Sequence, residues 1–177
     1  MRPFLLLSLA LMLAPQAQAE DISAKDSPAN AKAQIDYSAF AALTKEVAKY
    51  REKRMIDLTA FNEKRARGNV VILDTRSAAA FARGHIDGAI NIPFSDFTDQ
   101  KLAAILGKDK SQEILIYCNN NFHNNIPPIV LKSAPLALNI PTFINLYGYG
   151  YKNIYELSGS YNMEDPKIGW LASGAAL

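Results

Sequence analysis

The residues best able to do chemistry lie in YCNNNFHNN, residues 117 to 125, where Cys118, the only cysteine among 177 residues, is followed by five asparagines, a phenylalanine and a histidine. A cysteine attacks as thiolate, and with a free pKa of about 8.5 little of it is ionised at neutral pH unless the surroundings favour the charge. Backbone N–H groups curled round a sulfur can do that, and a helix N-terminus adds partial positive charge. Asparagine tolerates left-handed backbone angles and satisfies neighbouring amides. Asn119, Asn120 and Asn121 therefore read equally as shapers of a cradle for the sulfur and as surface turn residues. His123 is either a cation or base beside the sulfur or a solvent-facing loop residue. Phe122, in a loop where core positions are rare, is expected to line a pocket, and Asn124 completes the set of candidate ligand contacts.

Several other chemistries are excluded. From Asn119 to Tyr151 the only formal charge is Lys132, so no guanidinium follows the cysteine to hold a phosphoryl group bidentately. Two histidines and one cysteine without clustered spacing fall short of a zinc centre, and no metal or cofactor is expected. The net charge is +2, with cations and anions interspersed, which argues against a nucleic-acid footprint or a polybasic membrane patch.

The first residues, MRPFLLLSLALMLAPQAQAE, combine a cation, an apolar run and an A-x-A site. They read as a signal peptide, residues 1–19, cleaved after Ala19, with the mature protein periplasmic or secreted and free of the membrane. The apolar run from Phe4 to Leu13 is half of the roughly 20 residues that a membrane span needs. The remaining 158 residues (177 less 19) suffice for one core. Their single thiol cannot form an internal disulfide, so in an oxidising compartment it is either buried or reactive.

Residues 20–36 mix Ala, Asp, Lys, Ser and Pro without apolar periodicity and read as a flexible linker. An amphipathic helix follows within 37–55, with Phe40, Leu43, Val47 and Tyr50 on one face and Ser38 as candidate N-cap. MIDLTAFNEKRARGN suggests a short strand, then a capped helix from Thr59 that ends at Gly68. VVILDT (70–75), EILIYC (113–118) and TFINLYG (142–148) read as buried strands, with GAINIP and NIYELSG as shorter ones. SAAAFARG and FTDQKLAAILG read as helices between them. The alternation predicts an α/β domain with a central, largely parallel sheet and helices on both faces. Ligands collect beyond the carboxyl ends of such strands, where Cys118, Asp74 and Arg76 stand.

VVILDTRSAAAFARGHIDGAINIPF, residues 70 to 94, resembles the rhodanese-like domain, whose members share an Asp-x-Arg step after a buried strand and a Gly-His-Ile-x-Gly-Ala-x-Asn-Ile-Pro run. EILIYC resembles the strand ending in that family's active-site cysteine, and GYGYKNIYELSGSYNMEDPKIGW resembles its closing segment. Together the blocks cover about residues 56 to 170, within a domain taken as 56–177. The resemblance implies sulfur transfer through a cysteine persulfide, with Cys118 as nucleophile, Asp74 and Arg76 as a supporting pair, and His85 in a structural turn. The small sulfur donor and thiophilic acceptor are unnamed, and an exported thiol protein is an alternative partner.

The family usually places an arginine just after the cysteine. Here NNNFHNNIPPIVLKSAPLALNIP follows, so the loop is expected to be longer, with Pro127, Pro128 and Pro135 shortening the next helix. Without that arginine, weak use of thiosulfate and a preference for a less charged donor are expected. A catalytically inactive rhodanese-fold module binding a protein or peptide, and a thiol redox sensor, are the competing readings.

Overall fold

The computed structural model describes residues 33–172. The signal peptide and most of the linker lie outside them, and among them no helix is long and apolar enough to cross a membrane.

Three runs of apolar, mostly β-branched residues build the middle of the sheet. β2 (Val70–Asp74) pairs in parallel with β5 (Glu113–Tyr117), and β5 with β6 (Ile154–Leu157). β1 (Met55–Ile56) and β4 (Ala89–Asn91) close the edges, giving the all-parallel order β1-β6-β5-β2-β4. β3 (Gly84–Ile86) forms a separate antiparallel pair with β7 (Trp170–Ala172).

Side chains alternate across the sheet, so β5 feeds two cores. Ile114 and Ile116 join Val47, Leu102, Phe143, Leu146, Tyr151 and Ile154 on one face. That face carries α1 (Tyr37–Arg51), α4 (Asp99–Leu106) and α5 (Asn139–Gly148). Leu115 and Tyr117 join Leu58, Phe61, Ile72, Phe122 and Ile168 on the other, beneath α2 (Leu58–Ala66). The short α3 (Ala78–Arg83) follows β2. The expected α/β architecture is therefore present.

Three local expectations differ. TFINLYG is not a strand: it forms most of α5, with Thr142, Phe143, Ile144, Leu146 and Tyr147 buried. A helix buried nearly all round carries the same continuous apolar run as a buried strand, and a parallel β5–β6 pair requires a crossover between them. Pro141 is tolerated because it stands in the first turn, where its missing N–H has no partner to lose. α1 is capped by Asp36, whose carboxylate accepts from Ala39 N–H at 2.8 Å, rather than by Ser38. α2 starts at Leu58, with Asp57 accepting from Ala60 N–H at 2.8 Å, one residue before the expected start.

Candidate active site

Cys118 directly follows β5, at the carboxyl end of the sheet, and the backbone then makes one 3-10 turn, Asn119–Asn121. No α-helix starts there: α5 begins only at Asn139, after a proline-interrupted segment. The long crossover nevertheless returns to its origin. The main-chain amides of Asn120 in the turn, and of Leu138 and Asn139 at the start of α5, act on the Cys118 sulfur and favour its negative form. Their source is an arrangement of N–H groups that neither helix nor turn satisfies internally.

Opposing forces prevail over these amides. Cys118 is 1% exposed. Burial pushes the thiol up and is the largest influence; the Asn139, Asn120 and Leu138 amides pull it down, and the carboxylate of Glu156 adds to the upward push. The resting sulfur is thus a protonated thiol at neutral pH.

The asparagines hold the loop and its return segment together. Asn121, buried, accepts from Cys118 N–H at 2.9 Å and donates to Leu157 C=O at 2.7 Å and Gly159 C=O at 3.2 Å. Asn119 donates to Val130 C=O at 2.7 Å. Asn120 donates to Lys132 C=O at 2.7 Å and accepts from Lys132 N–H at 3.2 Å. A strap, residues 122–138, is thereby drawn across the cysteine loop, with Ile129 buried as its apolar anchor. Asn124 bonds Asn162 Oδ1 at 2.9 Å and Met163 N–H at 2.8 Å, tying the other end of the strap to the closing segment.

Phe122 does not line a pocket. It is fully buried, edge-on to Tyr117 and Trp170 with ring centroids 6.1 and 5.3 Å away. It reaches the core because its backbone bridges to Tyr161 in the closing segment, a pairing with no local signal. His123 is exposed, its N–H donated to Tyr161 C=O at 3.0 Å. It is not among the groups acting on the sulfur.

Asp74 and Arg76 form a buried pair, with Arg76 Nη2 to Asp74 Oδ2 at 2.5 Å and Nε to both carboxylate oxygens at 3.0 Å. Arg76 also reaches Gly84 C=O at 2.7 Å. Tyr117 donates its hydroxyl to Asp74 at 2.6 Å, so the pair braces the residue immediately before Cys118. His85 stacks on Phe81 at 3.8 Å and bonds its carbonyl, a structural role. Tyr147 and Tyr151 are core.

A cleft of about 530 Å³ lies beside the cysteine loop, lined by Thr75, Ser77, Phe94, Asn119, Lys132 and Leu138. It has room for a small molecule, and its charged lining residues are Lys132, Arg76 paired with Asp74, and Asp96 paired with Lys101. A larger one of about 680 Å³, between Pro127, Pro128, Met163 and Trp170, contains none of the groups acting on the sulfur.

Two participants in this site had escaped the reading of the sequence: Glu156 on β6 and Arg51 on α1. Arg51 donates to Glu156 through both Nε and Nη2, the latter at 2.6 Å. The one available signal was a lone carboxylate inside the apolar run of NIYELSG.

Several solved structures are similar to the chain. A full-length protein from Lactobacillus plantarum is 21% identical over 75% of this chain and 99% of its own, with a TM-score of 0.46. A protein from Helicobacter pylori is 20% identical over 72% and 96%, TM-score 0.43. A rhodanese-like domain from Anabaena is 22% identical over 60% and 68%, TM-score 0.43. No curated protein matches the chain. The family model of the Rhodanese-like domain matches residues 57–163, more than half of the sequence and all of the sheet from β2 to β6. The chain belongs to the rhodanese-like domain family.

Proposed function

We propose that this chain is an exported sulfane-sulfur carrier, a sulfurtransferase that works through a persulfide on Cys118. What supports this reading is the place of Cys118 at the carboxyl end of β5 within a rhodanese-like domain, with the Asn120, Leu138 and Asn139 amides favouring its negative form. Dipoles fixed before reaction favour charge as it develops, and they do so more strongly where water is excluded.

The donor is a small persulfide anion, R–S–S⁻. Cys118 sulfur attacks its outer sulfur, the S–S bond of the donor breaks, and R–SH leaves with the thiol proton while the enzyme keeps Cys–S–S⁻. An acceptor thiolate then takes the outer sulfur and restores Cys118 as thiolate. One sulfur atom moves at each step, so no external oxidant is needed. Thiosulfate, a dianion, lacks an arginine clamp here and is a poor donor.

The high resting thiol suits an exported carrier. Oxidation proceeds through the thiolate, and a thiol kept protonated under a strap is protected until the strap lifts.

The experiment is sulfur transfer from a small organic persulfide to cyanide, read as thiocyanate. Activity in the wild type, its loss in Cys118→Ser and a much lower rate from thiosulfate are expected; equal activity in Cys118→Ser would refute the reading.

A second reading, a non-enzymatic module for a protein or peptide, is favoured by Ile126, Val130, Leu131 and Leu136, which the strap exposes by 40 to 71%. Under it, Cys118→Ser leaves partner binding intact.

A further inference from the structure

β6 places a carboxylate in the interior. Glu156 is 6% exposed and shares the strand with buried Ile154 and Leu157. Such a charge is tolerated only when paired and hydrogen-bonded. Its partner is Arg51, the last residue of α1, which engages both oxygens. α1 ends before residue 57, so it lies wholly outside the segment that matches the family.

The pair is wired to the cysteine loop. Glu156 Oε1 accepts from Asn139 Nδ2 at 3.3 Å, the same Nδ2 donates to Asn121 Oδ1 at 3.1 Å, and that oxygen accepts from Cys118 N–H at 2.9 Å. Asn139 thus bonds Glu156 with its side chain and offers the sulfur its main-chain amide.

The charges around the sulfur are few. β6 supplies Glu156, and α1 supplies Arg51 through it. α5, NIPTFINLYG, carries no charged side chain. At the end of β2, Asp74 and Arg76 are closed on each other and on Tyr117. The strap contributes Lys132, exposed.

We propose that Arg51 and Glu156 are positioning residues for Cys118: the helix ahead of the matched domain sets the reactivity of the sulfur by deciding how much of the Glu156 charge reaches it and how Asn139 is held. With α1 docked, Arg51 offsets the carboxylate and Asn139 is fixed. With Arg51 withdrawn, a bare carboxylate faces the sulfur and the thiolate is suppressed. This rests on the reading that Cys118 reacts as thiolate.

The test is the rate of Cys118 alkylation by iodoacetamide against pH in the full chain, with circular dichroism to verify folding. Glu156→Gln is expected to lower the midpoint by about one unit, hence about tenfold faster labelling below it. Arg51→Gln raises it by a similar amount, Arg51→Lys restores most of the shift, and in the Glu156→Gln background Arg51→Gln has no further effect. A midpoint unmoved by Glu156→Gln overturns the proposal, as does an Arg51→Gln shift that persists when Glu156 is gone. Should Arg51→Gln fail to fold, Glu156→Gln and Arg51→Lys decide the matter. Alkylation reads the thiol without any sulfur donor. A protein showing these shifts that never gains sulfur refutes the carrier role and retains this inference; one that gains sulfur without the shifts does the reverse.

Discussion

Substituting Asn120 by alanine should unlatch the strap and expose the sulfur. The side chain makes two hydrogen bonds to Lys132, one donated at 2.7 Å to its carbonyl and one accepted at 3.2 Å from its N–H. Each is worth about 0.5–1.5 kcal/mol net, and a half-buried site favours the lower part of that range. The closed state then loses about 1–2 kcal/mol relative to the open one, a population shift of roughly 5- to 30-fold. Cys118 is 1% exposed, so a thiol reagent must wait for local opening, and its rate follows the open population. Labelling of the native protein by a disulfide reagent at constant pH should accelerate by roughly 5- to 30-fold. The urea midpoint should fall as well, because the closed native state is the one that loses these bonds. An unchanged labelling rate would mean that the sulfur is shielded by something other than the strap, and the proposed route for the donor would fail with it.

Asn121→Ala removes the acceptor for Cys118 N–H and the donor to Leu157 and Gly159 from a buried position; urea denaturation should show a loss of about 2–4 kcal/mol, since groups left unsatisfied are penalised more than an average bond is worth. Asp74→Asn leaves the Arg76 guanidinium, 3% exposed, without its counter-charge, and should cost about 3–5 kcal/mol by the same measurement. The buried thiol also predicts a pH dependence. Its folded value lies above the ordinary one of about 8.5, so the native state holds the proton more tightly than the unfolded chain. That contribution is fully present below about pH 8.5 and is lost as pH rises through the folded value. The stability of the wild type relative to Cys118→Ser, followed by urea midpoints at increasing pH, should therefore fall in the alkaline range; a difference that stays flat or grows would contradict the burial argument.

Most of the sheet was legible because buried parallel strands such as VVILD and EILIY are continuous apolar runs bounded by turn residues. The same signal misled at TFINLYG, where the helix α5 is buried on nearly every side and has no polar stripe to reveal its period. Placing Cys118 at a strand end followed from local pattern alone. What could not be read locally were contacts that close across the chain. The partners of Asn119 and Asn120 are carbonyls 11 and 12 residues further on, and Phe122 enters the core through a bridge to Tyr161. Arg51 and Glu156 meet across 105 residues, and neither a lone carboxylate on β6 nor one of several charges on α1 gives a periodic hint of its partner.

Tandem mass spectrometry of the protein after incubation with a small organic persulfide tests the central claim most directly. A gain of one sulfur atom on the Cys118 peptide, reversed by an acceptor thiol and greater in Asn120→Ala than in the wild type, is the predicted result. An unmodified Cys118 in both proteins, although Asn120→Ala labels readily with thiol reagents, would contradict the account.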